Sequence, residues 1–303
     1  MHTEAAALSG QTDLYAALRA AGARLAPDAA TLAALIVALE AGDSVARDTA
    51  RRLRVVDQGL LMAVMRRGAG LTATPAEAAV RAHLAGAEVA PMFRPEIAAG
   101  PSLALLTGGQ LPAMPAFSDC AFDAWFAGTG MPYGLGLYGD NRTVYRTPQF
   151  VDAASPEWRT VHLGIDVFAP AVTEVFSPLP ARVLYVTYNA DPLDYGNTLI
   201  LEHRAGMQAF FTLYGHLGGS LPRLLQTGDA VAPGQLIAHL GDWQENGGWA
   251  PHLHFQIMTD MLEQTGGNFF GVGHASLWDV WAGICPDPNL ILRLPPERFA
   301  AQG

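Results

Sequence analysis

The stretch PHLHF at 251–255 places two histidines, His252 and His254, two residues apart. On a strand the side chains alternate, so these two face the same way, about 7 Å apart along the backbone. Leu253 and Phe255 then face the opposite side, toward a core. Two imidazoles on one face suit two ligands of a single metal ion, or one ligand beside one acid–base group. A second pattern comes earlier: HLGID at 162–166 sets His162 and Asp166 four apart around Gly164. Imidazole nitrogen and carboxylate oxygen both bind zinc, at about 2.0–2.2 Å. A third is LYGHL at 213–217, where the alternation Phe210, Thr212, Tyr214, His216 predicts that Tyr214 and His216 share a face. Each fragment alone has an ordinary structural reading: two surface histidines on a strand, an aspartate capping a turn, a histidine closing a strand.

The elements that must position these residues are short. RVLYVTY, TLILEH, AFFTLYGH, QLIAHL and HLHFQI are separated by DPLDYGN, RAGMQ, TGDAVAPG and DWQENGGWAP. Close β-like runs with glycine-rich turns predict an antiparallel sheet or small barrel. The proline-punctuated CPDPNLILRLPPERF is predicted to wrap it. Residues 1–100 are alanine-rich and read as three helices. Leu32, Leu35, Ile36 and Leu39 form an apolar stripe behind Asp28 as N-cap. A second helix is predicted from Asp43 to about Arg67, stopping at Gly68. A third opens at Thr74-Pro75-Ala76-Glu77, a capping box, and ends at Gly86. Residues 101–155 carry GTGMPYGLGLYGDNR and read as an irregular lead-in, with too many aromatics from Phe117 to Tyr138 for a free tether. The predicted class is α+β: a helical region at 1–100, the lead-in at 101–155, and a mainly antiparallel β domain at 156–303. The helices serve as a packing unit or as the contact of a homo-oligomer.

Of the 303 residues half are hydrophobic and 15% are charged, enough apolar mass for a sizeable core. The formal net charge of −10, with no basic cluster, argues against nucleic acid or an anionic membrane as partner. Cys120 and Cys285 make no metal pair or disulfide framework and are expected to be reduced thiols. Glu4 and Asp13 stand where a secretory signal would carry its basic region and apolar core, and TLAALIVAL is half the length of a membrane span. The expectation from these residues is a cytoplasmic protein.

Taken together, HLGIDVFAP, DYGNTLILEH, LYGHL, TGDAVAPGQLIAHLG and APHLHFQI, in this order over about 160–260, resemble the lysostaphin/LytM-type zinc metallopeptidases. The resemblance implies a lipoyl-like β fold and a zinc cofactor. It implies His162, Asp166 and His254 as the zinc ligands, with His216 and His252 as the catalytic pair beside them. It also implies hydrolysis of a peptide bond, in peptidoglycan peptides or another peptide substrate, and brings the cell envelope in as the alternative location. ENGGWAPHLHFQ and CPDPNLIL resemble a branch found fused between phosphotransferase-like and class III aminotransferase domains. Three protein ligands leave one coordination position for a water, whose pKa on zinc falls from about 15.7 to about 7. Which of His216 and His252 takes the proton stays open. Tyr214, Asn197 and Trp249 are candidates to line the cleft. The chain departs from the usual pattern at Val172–Val175, VTEV for the common GTPV, and in DWQENGGWAP, both where substrate approaches.

Three other readings compete. A non-catalytic peptide- or glycan-binding regulator on the same fold would have lost site residues, and none of the five is missing. TGDAVAPGQLIAHLG is similar to the turns of biotinyl and lipoyl carrier domains, but those need an acceptor lysine, and all eighteen basic residues here are arginine. A structural zinc site would fill the fourth position, for which only Cys285 offers itself.

Overall fold

The computed structural model describes residues 1–106 and 113–300. Aspartates punctuate the helical region. Helices α2 (Leu14–Gly22), α3 (Ala29–Glu40), α4 (Ser44–Arg54) and α5 (Gln58–Gly68) each start behind one: Asp13, Asp28, Asp43 and Asp57. Each carboxylate accepts backbone N–H groups of the first turn, which no helical carbonyl can satisfy. Helix α1 (His2–Leu8) precedes them and α6 (Glu77–Gly86) follows.

Two helix expectations are corrected. The single helix expected over 43–67 is two, because Asp57 takes the Leu60 N–H at 2.9 Å, and a capping residue leaves helical φ/ψ. The capping box at 74–77 does not form. The Thr74 hydroxyl instead bonds that of Thr259 at 2.8 Å, while the Glu77 carboxylate takes the Ala73 N–H and the Arg67 guanidinium. Buried long-range partners displace the local pair.

Strands β1 (Ser102–Leu105) and β2 (Tyr133–Gly136), with α7 (Ala121–Gly128) between them, arise from the stretch read as irregular. Then follow β3 (Val161–His162), β4 (Ile165–Phe168), β5 (Glu174–Phe176), β6 (Ala181–Asn189), β7 (Gly196–Ala205) and β8 (Gln208–Leu217). After α8 (Leu221–Leu224) come β9 (Ala230–Val231), β10 (Leu236–His239), β11 (His252–Met258), β12 (Val272–Gly273), α9 (Trp278–Ile284) and α10 (Asn289–Leu292). Among the described residues the main sheet runs β1-β2-β4-β11-β8-β7-β6-β9, and the pairs β10–β5 and β12–β3 stand apart. Only β1–β2 is parallel within the main sheet.

The two parities of the central strands enter two cores. Leu253, Phe255, Ile165, Val167, Leu199 and Tyr214 lie with Val80 and Leu84 of α6 and with Ile291 of α10. On the opposite face, Met258, Ile200 and Leu213 join a cluster with Leu18, Leu61 and other residues of α1–α5 and with Trp281 of α9. That second face also carries His252 and His254. The mixed α+β architecture, with helices preceding a mostly antiparallel sheet, is as the sequence indicated. No helix among the described residues is long and apolar enough to cross a membrane.

Candidate metal centre

Register sets the first contact. His254 on β11 lies directly opposite Asp166 on β4, and Val272 on β12 opposite His162 on β3. Residues paired across neighbouring strands face the same side, so Asp166 and His254 meet. The turn between β3 and β4 then folds His162 back beside them. Gly164 permits this approach, since a Cβ there would sit 2.6 Å from Cε1 of the His254 ring.

The three expected ligand atoms converge. His162 Nε2 and His254 Nδ1 are 3.0 Å apart, His254 Nδ1 and Asp166 Oδ1 3.1 Å, and His162 Nε2 and Asp166 Oδ1 3.2 Å. All three side chains are buried. Protons are assigned by what each ring's other nitrogen meets. His162 Nδ1 faces the Leu137 carbonyl at 2.8 Å, which can only accept, so the hydrogen is there and Nε2 presents a lone pair. His254 Nε2 faces Gln256 Oε1 at 2.9 Å, and the Gln256 amide nitrogen is committed to the Phe270 carbonyl and Cys285 Sγ. His254 therefore donates from Nε2 and turns the Nδ1 lone pair inward. Two imidazole lone pairs and a carboxylate oxygen meet at one point, which is unfavourable without a cation between them. Tetrahedral zinc at about 2.05 Å would hold its ligand atoms roughly 3.3 Å apart, within a few tenths of these separations. The donor set and its outer hydrogen bonds thus fit zinc. These residues are also the group of potential metal ligands found together among the described residues.

Arg142 completes the carboxylate's surroundings. Its Nη1 donates to Asp166 Oδ2 at 2.7 Å, and both side chains are buried. Burial opposes the guanidinium's charge, but Asp166, Tyr145 and Asp140 more than offset it and raise its pKa. Burial would likewise raise the Asp166 pKa, but His162, Arg142 and His252 hold it well below the usual carboxylate range. Burial together with the charge of Arg142 lowers His162 to about 4.

His216 and His252 sit beside this triad, their rings 4.2 Å apart, with His252 Nε2 3.9 Å from Asp166 Oδ1. Burial lowers His252 to about 4; it also lowers His216 far below 6.5, helped by the neighbouring His252 and His254. Both rings are neutral at pH 7. The expected shared face of Tyr214 and His216 is corrected. Pairing of β7 with β8 shifts register between Asn197 and Leu199, and His216 has φ +63°. This β-bulge turns the strand by one residue. Tyr214 keeps its parity and packs against Phe255 in the core, while His216 swings to the face of His252.

Asp166, His216, His252 and His254 border a cleft of about 290 Å³, with Arg142, Tyr145, Tyr195, Trp249 and Phe270 in its walls, and His162 lies behind them. Of the further cleft candidates only Trp249 is among these lining residues; Asn197 instead bonds the Glu245 carbonyl. Arg142, Gln256 and Tyr195 were not singled out in the sequence. Gln256 had a usable signal, because two residues past His254 on one strand is the same face.

The family model described as Peptidase family M23 matches residues 160–265. The match bears out the lysostaphin/LytM-type resemblance and supports a peptidase reading of this stretch. Among solved structures, the chain is similar to a zinc-containing peptidase of Vibrio cholerae, 31% identical over 32% of this chain and 27% of that one, with a TM-score of 0.27. It is also similar to the catalytic domain of lysostaphin from Staphylococcus simulans, 21% identical over 52% and 96%, with a TM-score of 0.31. A third likeness is Csd3 of Helicobacter pylori, 21% identical over 36% and 25%, with a TM-score of 0.25. The chain spans about a quarter of the Vibrio cholerae peptidase that it matches. No curated protein matches it.

Proposed function

We propose that this chain is a zinc-dependent metalloendopeptidase that hydrolyses an amide bond, with peptides of peptidoglycan as the substrate class. The reading rests on one observation: three buried lone-pair atoms within 3.0–3.2 Å of one another, each turned inward by a hydrogen bond on its far side. His162, Asp166 and His254 would hold the metal. Bound there, zinc would polarise the scissile carbonyl and acidify a water.

The chain's own residues supply the rest. His216 and His252 are neutral, with Nε2 free to accept the water's proton and pass it to the leaving amine. Arg142 holds Asp166 ionised and in place from the side away from the two imidazoles. Trp249, Tyr145 and Phe270 offer apolar walls against which a peptide can lie while water is excluded. Peptidoglycan as substrate carries the envelope location with it, whereas an intracellular peptide fits the cytoplasmic expectation.

The test is metal analysis of the purified full chain, followed by incubation with soluble peptidoglycan fragments and with a peptide library. About one zinc per chain and release of new amino termini are expected. Bound zinc with no cleavage of either substrate would favour the regulator reading instead.

A further inference from the structure

The loop DWQENGGWAP at 242–251 departs from the usual family pattern and has no role so far. His216 and His252 both direct Nδ1 into it. His216 Nδ1 meets the Asn246 carbonyl at 2.7 Å, and His252 Nδ1 meets the Ala250 carbonyl at 2.6 Å. Backbone carbonyls only accept, so each ring carries its hydrogen on Nδ1. We infer that this loop is a tautomer clamp for His216 and His252, and that Asn246 is the positioning residue that holds it.

The Asn246 side chain is fully buried and hydrogen-bonded at both ends. Its Nδ2 donates to the Gly241 carbonyl at 3.2 Å and the Trp249 carbonyl at 2.8 Å. Its Oδ1 accepts from the N–H groups of Gly248 at 3.1 Å and Trp249 at 3.0 Å. The amide thereby ties the loop's two ends to its middle and fixes where the Asn246 and Ala250 carbonyls point. Only asparagine fits these four partners. Aspartate keeps the two accepted bonds and loses the two donated ones; serine is too short to span them; glutamine is a methylene too long.

The neighbouring strand ends prevent the loop from sliding. The N–H and the side-chain amide of Asn197 both donate to the Glu245 carbonyl, and the His216 carbonyl accepts from Gly241 N–H at 3.0 Å. Gly247 has φ +89°, and a Cβ on it would lie 2.1 Å from the Asp194 carbonyl oxygen. The bulge that turns His216 inward is itself held by the bond from its N–H to the Tyr195 carbonyl at 2.8 Å. Two loops are therefore knitted around one imidazole.

What the tautomer is used for rests on the proposed function, but the tautomer itself does not. Two-bond ¹⁵N–¹H correlation spectra of the ¹⁵N-labelled full chain at pH 7–8 read it directly. Nδ1–H with an unprotonated Nε2 is expected for both rings. Asn246→Ala should give mixed tautomers at His216 and a kcat on soluble peptidoglycan fragments lower by about 10- to 100-fold, with KM and zinc content unchanged. Asn246→Asp should fall between. Wild-type rings protonated on Nε2 would overturn the inference even if no variant folds, as would an Asn246→Ala protein with wild-type ring signals and kcat. If the rings are as expected and the wild type cleaves nothing, the peptidase reading fails and the clamp stands.

Discussion

Replacing Asp166 by alanine should cost the fold as well as the metal, and the two losses can be separated. Arg142 and Asp166 are 2.7 Å apart, with side chains 3% and 2% exposed. Removing one partner of such a buried pair leaves an uncompensated charge and costs about 3–5 kcal/mol. Asp140, 3.4 Å from Arg142 Nε, remains and moves the expectation toward the lower end. At about 2–4 °C per kcal/mol the melting temperature should fall by roughly 6–20 °C. The assay is calorimetry with chelator present, so that metal contributes to neither protein. Asp166→Asn, which keeps a neutral acceptor, should lose less. Asp166→Ala combined with Arg142→Met should recover much of the loss, because the orphaned charge is gone. With zinc at about 100 times its dissociation constant, only the wild type should gain about 2.7 kcal/mol. A chelated Asp166→Ala protein that melts within about 2 °C of wild type would refute the account of Arg142 as a buried charge dependent on this carboxylate.

Four further outcomes follow from the same geometry. Gly164→Ala places a methyl against the His254 ring and should weaken zinc binding in a chelator competition while leaving the helical far-ultraviolet signal intact. Gln256→Leu removes the acceptor for His254 Nε2–H and should lower zinc affinity by about 10- to 100-fold in the same competition. His216→Ala should keep stoichiometric zinc yet lose about 10²- to 10⁴-fold in turnover, so full activity in that variant would dismiss the residue from catalysis. His203, remote from the cleft, is held by burial at about 4, against 6.5 for a free imidazole. As pH falls, the unfolded chain binds this proton first. The stability it contributes is complete above 6.5, erodes from there, and is gone near 4, by up to about 3 kcal/mol at 1.36 per unit. Denaturant melts at three pH values should show a shallower slope for His203→Gln.

What could be read from the residues was governed by distance along the chain. His162, Asp166, His252 and His254 belong to two short segments in which strand alternation and one glycine decide orientation, and those rules are local. Asp28 behaves as a cap for the same reason. His216 obeyed a different influence. Its facing depends on a bulge held by Tyr195, just before β7, and paired at its end with Asn197 on β7, so alternation counted from Phe210 gave the wrong partner for it. The capping box at Thr74 failed in the same way, through Thr259, which is 185 residues away. Arg142 reaches Asp166 from a stretch with no periodicity, and nothing in GDNR announces a buried guanidinium. The break at Asp57 was in principle legible, because an aspartate three residues before a buried leucine is a start signal even inside a longer apolar pattern.

The sheet face that bears the imidazoles continues into Met258, Ile200 and Leu213, which share one buried apolar cluster with side chains from α1–α5. Arg19 pairs with Asp279 at 2.6 Å, and the Tyr15 hydroxyl donates to Asp152 at 2.7 Å across the same junction. The leading helices therefore act as the second half of a sandwich whose filling is shared. A graft of residues 160–265 into another scaffold must bring a replacement for that greasy underside.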